Sequence, residues 1–245
     1  VATKTYVDDV FSTFLYKGNS TSQDVTNGID LAGEGGMVWA KRRSGSQNHV
    51  LADTVRGITK YLNPNGTAAE VTDQERFLYV SSTGFAVGDE VDTNGSGSDY
   101  ASWTFRKAPG FFDVVTYTGN GSNRTIAHSL GSVPGMIFIK KTSTSDPWSV
   151  YHRSLDSTSP ENYRIFLDED NARLAANTSI WNQTKPTATN FSLGTNDQLN
   201  GNGATYVAYV FGHDEQSYGD SGDQSIIKCG SYVGNSSTNG PEINL

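Results

Sequence analysis

Phe112-Asp113-Val114-Val115-Thr116-Tyr117-Thr118-Gly119-Asn120 and, beyond a turn region around Gly131 and Pro134, Gly135-Met136-Ile137-Phe138-Ile139-Lys140-Lys141 decide how this chain is read. The first run has the β-branched and aromatic content of a strand and ends in a Gly-Asn turn. The second is a short apolar strand closed by two lysines. The same composition stands roughly a hundred residues earlier. There Phe14-Leu15-Tyr16-Lys17-Gly18-Asn19 leads, through a Gly-rich connection, to Gly36-Met37-Val38-Trp39-Ala40-Lys41-Arg42. It begins a third time at Gly230-Ser231-Tyr232-Val233-Gly234-Asn235.

The later part of the pattern recurs as well. Phe85, Val87 and Gly88 answer to Phe191, Leu193 and Gly194, Asn94-Gly95 to Asn200-Gly201, and Tyr100–Phe105 to Tyr206–Phe211, all at one constant offset. Met37 and Met136 stand a few residues closer, so the second copy carries an insertion in its middle. Recurrence of motifs in the same order marks repeated structural units. The expected fold is all-β: tandem β-sandwich, jelly-roll-like repeats of about 100 residues each. Repeat one spans 1–107 with an N-terminal arm over 1–9, repeat two spans 111–213, and 214–245 is a linker with the truncated start of a third. The expected cores contain Met37, Trp39, Trp103, Met136, Phe138 and Phe211.

Along the first copy, Val10–Tyr16 reads as a strand, Met37–Ala40 as a core strand paired with Val50–Val55, and Thr59–Leu62 as another. Asn63-Pro64-Asn65-Gly66 is a strong turn signal. Thr67–Arg76 is the one place in this copy with helix-forming composition. Phe77–Val80 and Gly84–Val87 pair across Ser81-Ser82-Thr83. In the closing strand Ala101, Trp103 and Phe105 share one face and Tyr100, Ser102 and Thr104 the other; the aromatic face is expected to be the core.

Composition limits the chemistry. The 245 residues carry 26 acidic and 18 basic side chains, a formal net charge of −8, which disfavours the phosphate backbone of nucleic acid. No apolar run approaches a membrane span, and the N-terminal stretch has no signal-peptide core, so neither membrane insertion nor general secretion is expected. The single cysteine, Cys229, excludes an intrachain disulfide and is expected to be a buried thiol. His49, His128, His152 and His213 share no ligand spacing. Asp168-Glu169-Asp170 and Asp89-Glu90 with Asp92 read as solvated turns, not as a carboxylate pair across a cleft. Asp92, Asn94, Ser96 and Ser98 alternate like the early ligands of a calcium loop, but Trp103 stands where the closing acid belongs, and a hairpin turn is expected instead. No catalytic residue, metal or cofactor is assigned.

Two groups remain as contact candidates. Lys41, Arg42 and Arg43, with Lys140 and Lys141 at the same point of the second copy, are candidates for a subunit or polyanion contact, against the plainer reading of charge at a strand end. Trp148 and Trp181 lie between strands and are candidates for stacking on a glycan.

The order Tyr-x-Gly-Asn, Gly-Met-apolar-x-apolar-Lys, Phe-x-apolar-Gly, Asn-Gly and a closing aromatic strand resembles an uncharacterised tandem-repeat domain. That domain occurs in virion and tail-fibre-like proteins of marine and cyanobacterial phages. The opening Tyr6-Val7-Asp8-Asp9-Val10-Phe11-Ser12-Thr13 looks like the start of such proteins, which would place Val1 near the natural N-terminus. The first copy departs by having Glu34-Gly35 where the second has Pro134-Gly135. The resemblance implies a virion structural protein of the tail or particle surface, made in the host cytoplasm. It would act through other virion proteins and copies of itself as a homo-oligomer; the alternatives are a lectin-like module for host surface glycan and a capsid decoration protein. The resemblance brings no catalytic residues with it.

Overall fold

The computed structural model describes residues 5–243; of the expected arm, residues 1–4 lie outside the described part. The chain is nearly all-β and antiparallel. A single helical turn, α1 (Val7–Val10), precedes β1 (Phe11–Lys17), β2 (Gln23–Thr26), β3 (Gly36–Arg42), β4 (Val50–Asp53), β5 (Lys60–Leu62), β6 (Val71–Thr72), β7 (Phe77–Ser81) and β8 (Gly84–Val87). A short turn of helix, α2 (Val91–Asn94), then leads to β9 (Asp99–Arg106). The second half follows with β10 (Phe112–Thr118), β11 (Arg124–Ala127), β12 (Met136–Lys141), β13 (Ser149–His152), β14 (Ile165–Phe166), β15 (Asn190–Leu193), α3 (Asp197–Asn200) and β16 (Thr205–Phe211).

Each half has a large and a small sheet. The first has the order β1-β9-β3-β4-β5-β6 with β2-β8-β7, and the second β10-β16-β12-β13-β14 with β11-β15. In both, the opening strand pairs with the closing one: Tyr16 lies opposite Tyr100, and Tyr117 opposite Tyr206. The expected pairings of Met37–Ala40 with the Val50 run and of Phe77 with the Gly84 run are those observed.

The recurring motif residues make corresponding bonds. The buried Asn94 amide donates to Thr21 O (2.6 Å) and Gly88 O, and its Oδ1 accepts from Asn19 N (2.9 Å). Buried Asn200 donates to Ser122 O (2.7 Å) and Gly194 O (2.8 Å) and accepts from Asn120 N (3.0 Å). Tyr100 and Tyr206 each donate to the carbonyl opening the preceding helical turn, at 2.7 and 2.6 Å. Their rings stack on Tyr16 and Tyr117, at 5.1 and 5.0 Å. Glycine precedes Asn19 and Asn120 because backbone crowds it: a Cβ at Gly18 would lie 2.3 Å from Gly95 O, and one at Gly119 2.2 Å from Gly201 O.

Packing corrects the expectation of where the core lies. Val38, Ala40, Val50 and Ala52 of the first large sheet pack on Val25, Phe77, Phe85 and Val87 of its small sheet. Ile137, Ile139, Ala208 and Val210 pack likewise on Ile126, Phe191 and Leu193. The opposite faces of the two large sheets then meet each other. Met37, Leu51 and Leu62 are in one cluster with Phe112, Val114, Phe138, Val150, Val207, Tyr209 and Phe211. Four β layers therefore stack, with the small sheets outermost, and the central strands of each large sheet are covered on both faces.

Met37, Trp39, Met136, Phe138 and Phe211 accordingly belong to the seam between the large sheets, not to the interior of either half. Trp103 sits edge-on to Trp39, its ring centroid 6.2 Å away, half-buried on that same face. The expected polar face of β9 is the better covered one: Tyr100, Ser102 and Thr104 are fully buried, while Trp103 and Phe105 are half-buried. Thr104 can face inward because its hydroxyl accepts a bond from the Asn27 amide (2.8 Å).

Thr67–Arg76 is not helical. Its backbone bonds to the second half instead: Glu70 N donates to Thr142 O (3.0 Å), and Thr67 O accepts from Asp146 N (2.9 Å). Tertiary partners outweigh a weak propensity here.

Candidate functional site

The polar centre of the molecule lies in the seam. Asp53 ends β4 with its carboxylate fully buried. Its Oδ1 accepts from the backbone N–H groups of Val55 (3.0 Å) and Arg56 (2.8 Å), a local Asx-type turn. Its Oδ2 accepts from Arg56 Nε (2.6 Å) and from the Tyr209 hydroxyl of β16 (2.7 Å). The Arg56 guanidinium also donates to Glu70 Oε2 (2.9 Å) and to Tyr209 Oη (3.0 Å). Burial opposes the charge on Arg56, but Tyr209, Asp53 and Glu70 more than reverse that and raise its pKa. Burial holds the Tyr209 phenol well above its ordinary range.

This lock is one-sided. The strand register places His152 opposite Met136 where Asp53 lies opposite Met37, and Trp103 opposite Trp39 where Tyr209 lies opposite Phe138. The two halves thus differ at the positions through which they dock. Such a buried, fully partnered cluster sets the register of two apolar surfaces that would otherwise slide.

Beside the lock, a cleft of about 420 Å³ opens between the halves. It is lined by Lys60 and Glu70 from the first half and by Thr116, Thr118, Thr142 and Thr205 from the second. Lys60 Nζ lies 3.3 Å from Glu70 Oε1, and the Thr142 and Thr205 hydroxyls share a bond of 2.7 Å.

The contact candidates named from sequence have other positions. Trp148 and Trp181 are buried, with 0% and 2% of their surface exposed, so neither ring offers a face to a sugar. Each indole N–H is satisfied internally at 3.0 Å, by Asn63 O and Tyr163 O respectively. Trp148 stacks on Tyr209, and its backbone N–H donates to Asp168 (2.9 Å), which is therefore no free solvated acid. Burial raises the Asp168 pKa.

Lys140 is completely buried under the Asn63–Glu70 loop, its ammonium donating to Thr67 O (3.0 Å) and Lys141 O (2.9 Å). Burial lowers its pKa to about 8. Lys141 is buried against Asp197 (2.6 Å). Neither can present charge to a partner. Lys41 and Arg42 are half-exposed, Lys41 folding onto Arg42 O and Gly45 O, and Arg43 is exposed. Asp53, Arg56 and Tyr209 were not singled out from sequence. The available signal was a departure between halves at aligned positions, an acid closing an apolar run where the other half has histidine.

Cys229 is buried, as expected, though in an irregular segment and not in a strand. Burial lifts its thiol to about 11. Alkylation by iodoacetamide at pH 8 is expected to run about 100-fold slower in the native protein than in the unfolded chain. Equal rates would show that this segment does not stay docked.

All four histidines have depressed pKa values, in each case chiefly through burial, with Arg153 adding to the effect at His152 and His213. A depressed histidine contributes no pH dependence well above the ordinary pKa of about 6.5, where neither state is protonated. Below that, the unfolded chain takes up protons that the folded one refuses, and stability falls. Denaturant unfolding is expected to give a lower midpoint at pH 5.5 than at pH 7.5, with the difference reduced in His152→Gln; a flat profile would contradict this.

Among the described residues, no three His, Cys, Asp or Glu side chains converge as a metal site requires, and no helix is long and apolar enough to cross a membrane. The sequence model of one family, a domain of unknown function (DUF7483), matches residues 7–244. That single match runs through both halves and the segment after them. Among curated proteins and among solved structures, nothing matches the chain.

Proposed function

We propose that this chain, which belongs to the family of the domain of unknown function DUF7483, is a virion structural protein of a phage tail or tail-fibre assembly. It is built from two copies of one β-sandwich module and acts through assembly and surface contact, not turnover. The observation that carries this reading is the use made of its polar side chains. Asp53, Arg56, Tyr209, Asn94, Asn200, Lys140 and Lys141 are all engaged in holding strands, turns and halves together. A rigid four-layer stack with its functional groups turned inward suits a load-bearing or spacing element. Such chains assemble as symmetric homo-oligomers, and the terminal strands of the two large sheets are β1 and β6, and β10 and β14.

The test is location. Cryo-electron microscopy of the intact particle, with the chain tagged, should place it on the tail or its fibres. Density over the capsid lattice would favour a decoration protein, and absence from the particle would remove the reading altogether.

One observation favours a second reading, recognition of host surface glycan. The cleft between the halves offers four threonine side chains beside Lys60 and Glu70, a polar lining suited to a hydroxylated saccharide. A glycan array probed with the native protein and with Lys60→Ala should show binding that the variant loses. No binding by either would leave the structural reading alone.

A further inference from the structure

The segment after the second half repeats the opening of a module, and its motif residues Tyr232 and Val233 are exposed. We infer that Ile227–Asn235 is the first strand of a further module of this fold, and that its partner is a closing strand of the β9 or β16 kind with its Asn-Gly turn. This rests on the two-module reading above and extends it to a third unit.

Three observations carry it. Tyr232-Val233-Gly234-Asn235 matches Tyr16-Lys17-Gly18-Asn19 and Tyr117-Thr118-Gly119-Asn120 residue for residue in the tyrosine, glycine and asparagine. The segment also enters as β10 does. Ala108 N donates to Phe112 O (3.0 Å) where the chain turns into β10, and Asp214 N donates to Ile227 O (2.8 Å) at the corresponding place. Ile226 and Ile227 pack against the seam as Phe111 and Phe112 do.

Beyond Cys229 the bonds seen among the described residues are local. Cys229 is still held, through its N–H to His213 Nδ1 (3.0 Å), but Tyr232 and Val233 are 69% and 88% exposed. Nothing lies within 4 Å of a Cβ built on Gly234, although Gly18 and Gly119 are glycines because a carbonyl presses on them. The motif is therefore kept where its reason is missing. In both complete copies that reason is a closing strand. It supplies a tyrosine to stack on, a helical-turn carbonyl for the hydroxyl, and an asparagine Oδ1 for the last backbone N–H.

Neither closing strand of this chain has a free edge to offer. β9 lies between β1 and β3, and β16 between β10 and β12. The partner is therefore the closing strand of that further module, for which this segment is the first strand.

The experiment appends the sequence of residues 121–213, a module without a first strand, directly after Asn235 of the chain. A positive control carries the sequence of residues 112–120 in place of 227–235, and a negative control carries 227–235 scrambled. With the native segment, amide exchange at Tyr232 and Val233 is expected to slow about 100-fold relative to the parent chain. The appended part should resist protease as in the positive control, and Gly234→Val should abolish both effects. A native segment that behaves like the scrambled one overturns the inference. Failure of the two-module reading would show elsewhere, as unmatched effects of Asn94→Ala and Asn200→Ala in the parent chain.

Discussion

Asp53→Ala is expected to lower the stability of the chain by about 3–5 kcal/mol, the range for removing one member of a buried charged pair. The cost arises from what is left behind. Arg56 stays in the seam with 4% of its side chain exposed and keeps only Glu70 and Tyr209 as partners. The Val55 and Arg56 N–H groups and the Tyr209 hydroxyl lose an acceptor. For a chain of this size the melting temperature should drop by roughly 10 °C. Tyr209→Phe removes one hydroxyl and should cost about 1–2 kcal/mol. Because both act on one network, the double variant should cost less than the sum of the two. Additive effects, or an Asp53→Ala protein within about 1 kcal/mol of the parent, would mean that this cluster does not hold the sheets together.

Asn200→Ala is expected to be comparably severe, at about 3–5 kcal/mol, since three polar backbone groups lose their partner at once. These are Asn120 N, Ser122 O and Gly194 O, and the residue that serves them is fully buried. Asn200→Asp separates the two functions of the side chain. It keeps an acceptor for Asn120 N–H but turns an acceptor toward two carbonyls, so it should be no better than alanine at neutral pH. Asn94→Ala should match Asn200→Ala, because its bonds to Asn19 N, Thr21 O and Gly88 O each have a counterpart there. Chemical denaturation of the three variants checks this. A mild effect at one asparagine and a severe one at the other would separate the halves physically, whatever their sequence likeness.

Local order was legible where it depends on neighbours in the chain. Ser81-Ser82-Thr83 between two apolar runs gave the β7–β8 hairpin, and Met37–Ala40 found its partner in the Val50 run. The asparagines were visible as recurring letters, though not as the clamps they are, since the strands they hold, at Asn19 and Asn120, lie 75 and 80 residues away along the chain. The contact candidates failed for a different reason. Trp148, Trp181, Lys140 and Lys141 lie near turns, where exposure is the ordinary expectation. What covers Trp148 and Lys140 is the Asn63–Glu70 loop of the other half, which no spacing of residues could reveal.

By itself, then, the amino-acid order determined that the chain is made of short antiparallel strands and which of them are adjacent hairpins, because alternation and turn chemistry act over a few residues. Only the tertiary structure decided that each large sheet is covered twice, that its aromatic face is a seam, and that Asp53, Arg56 and Tyr209 meet there. Alternation with a period of two shows that a strand has two faces. It carries no information on what will lie against either one, because that depends on how distant surfaces dock.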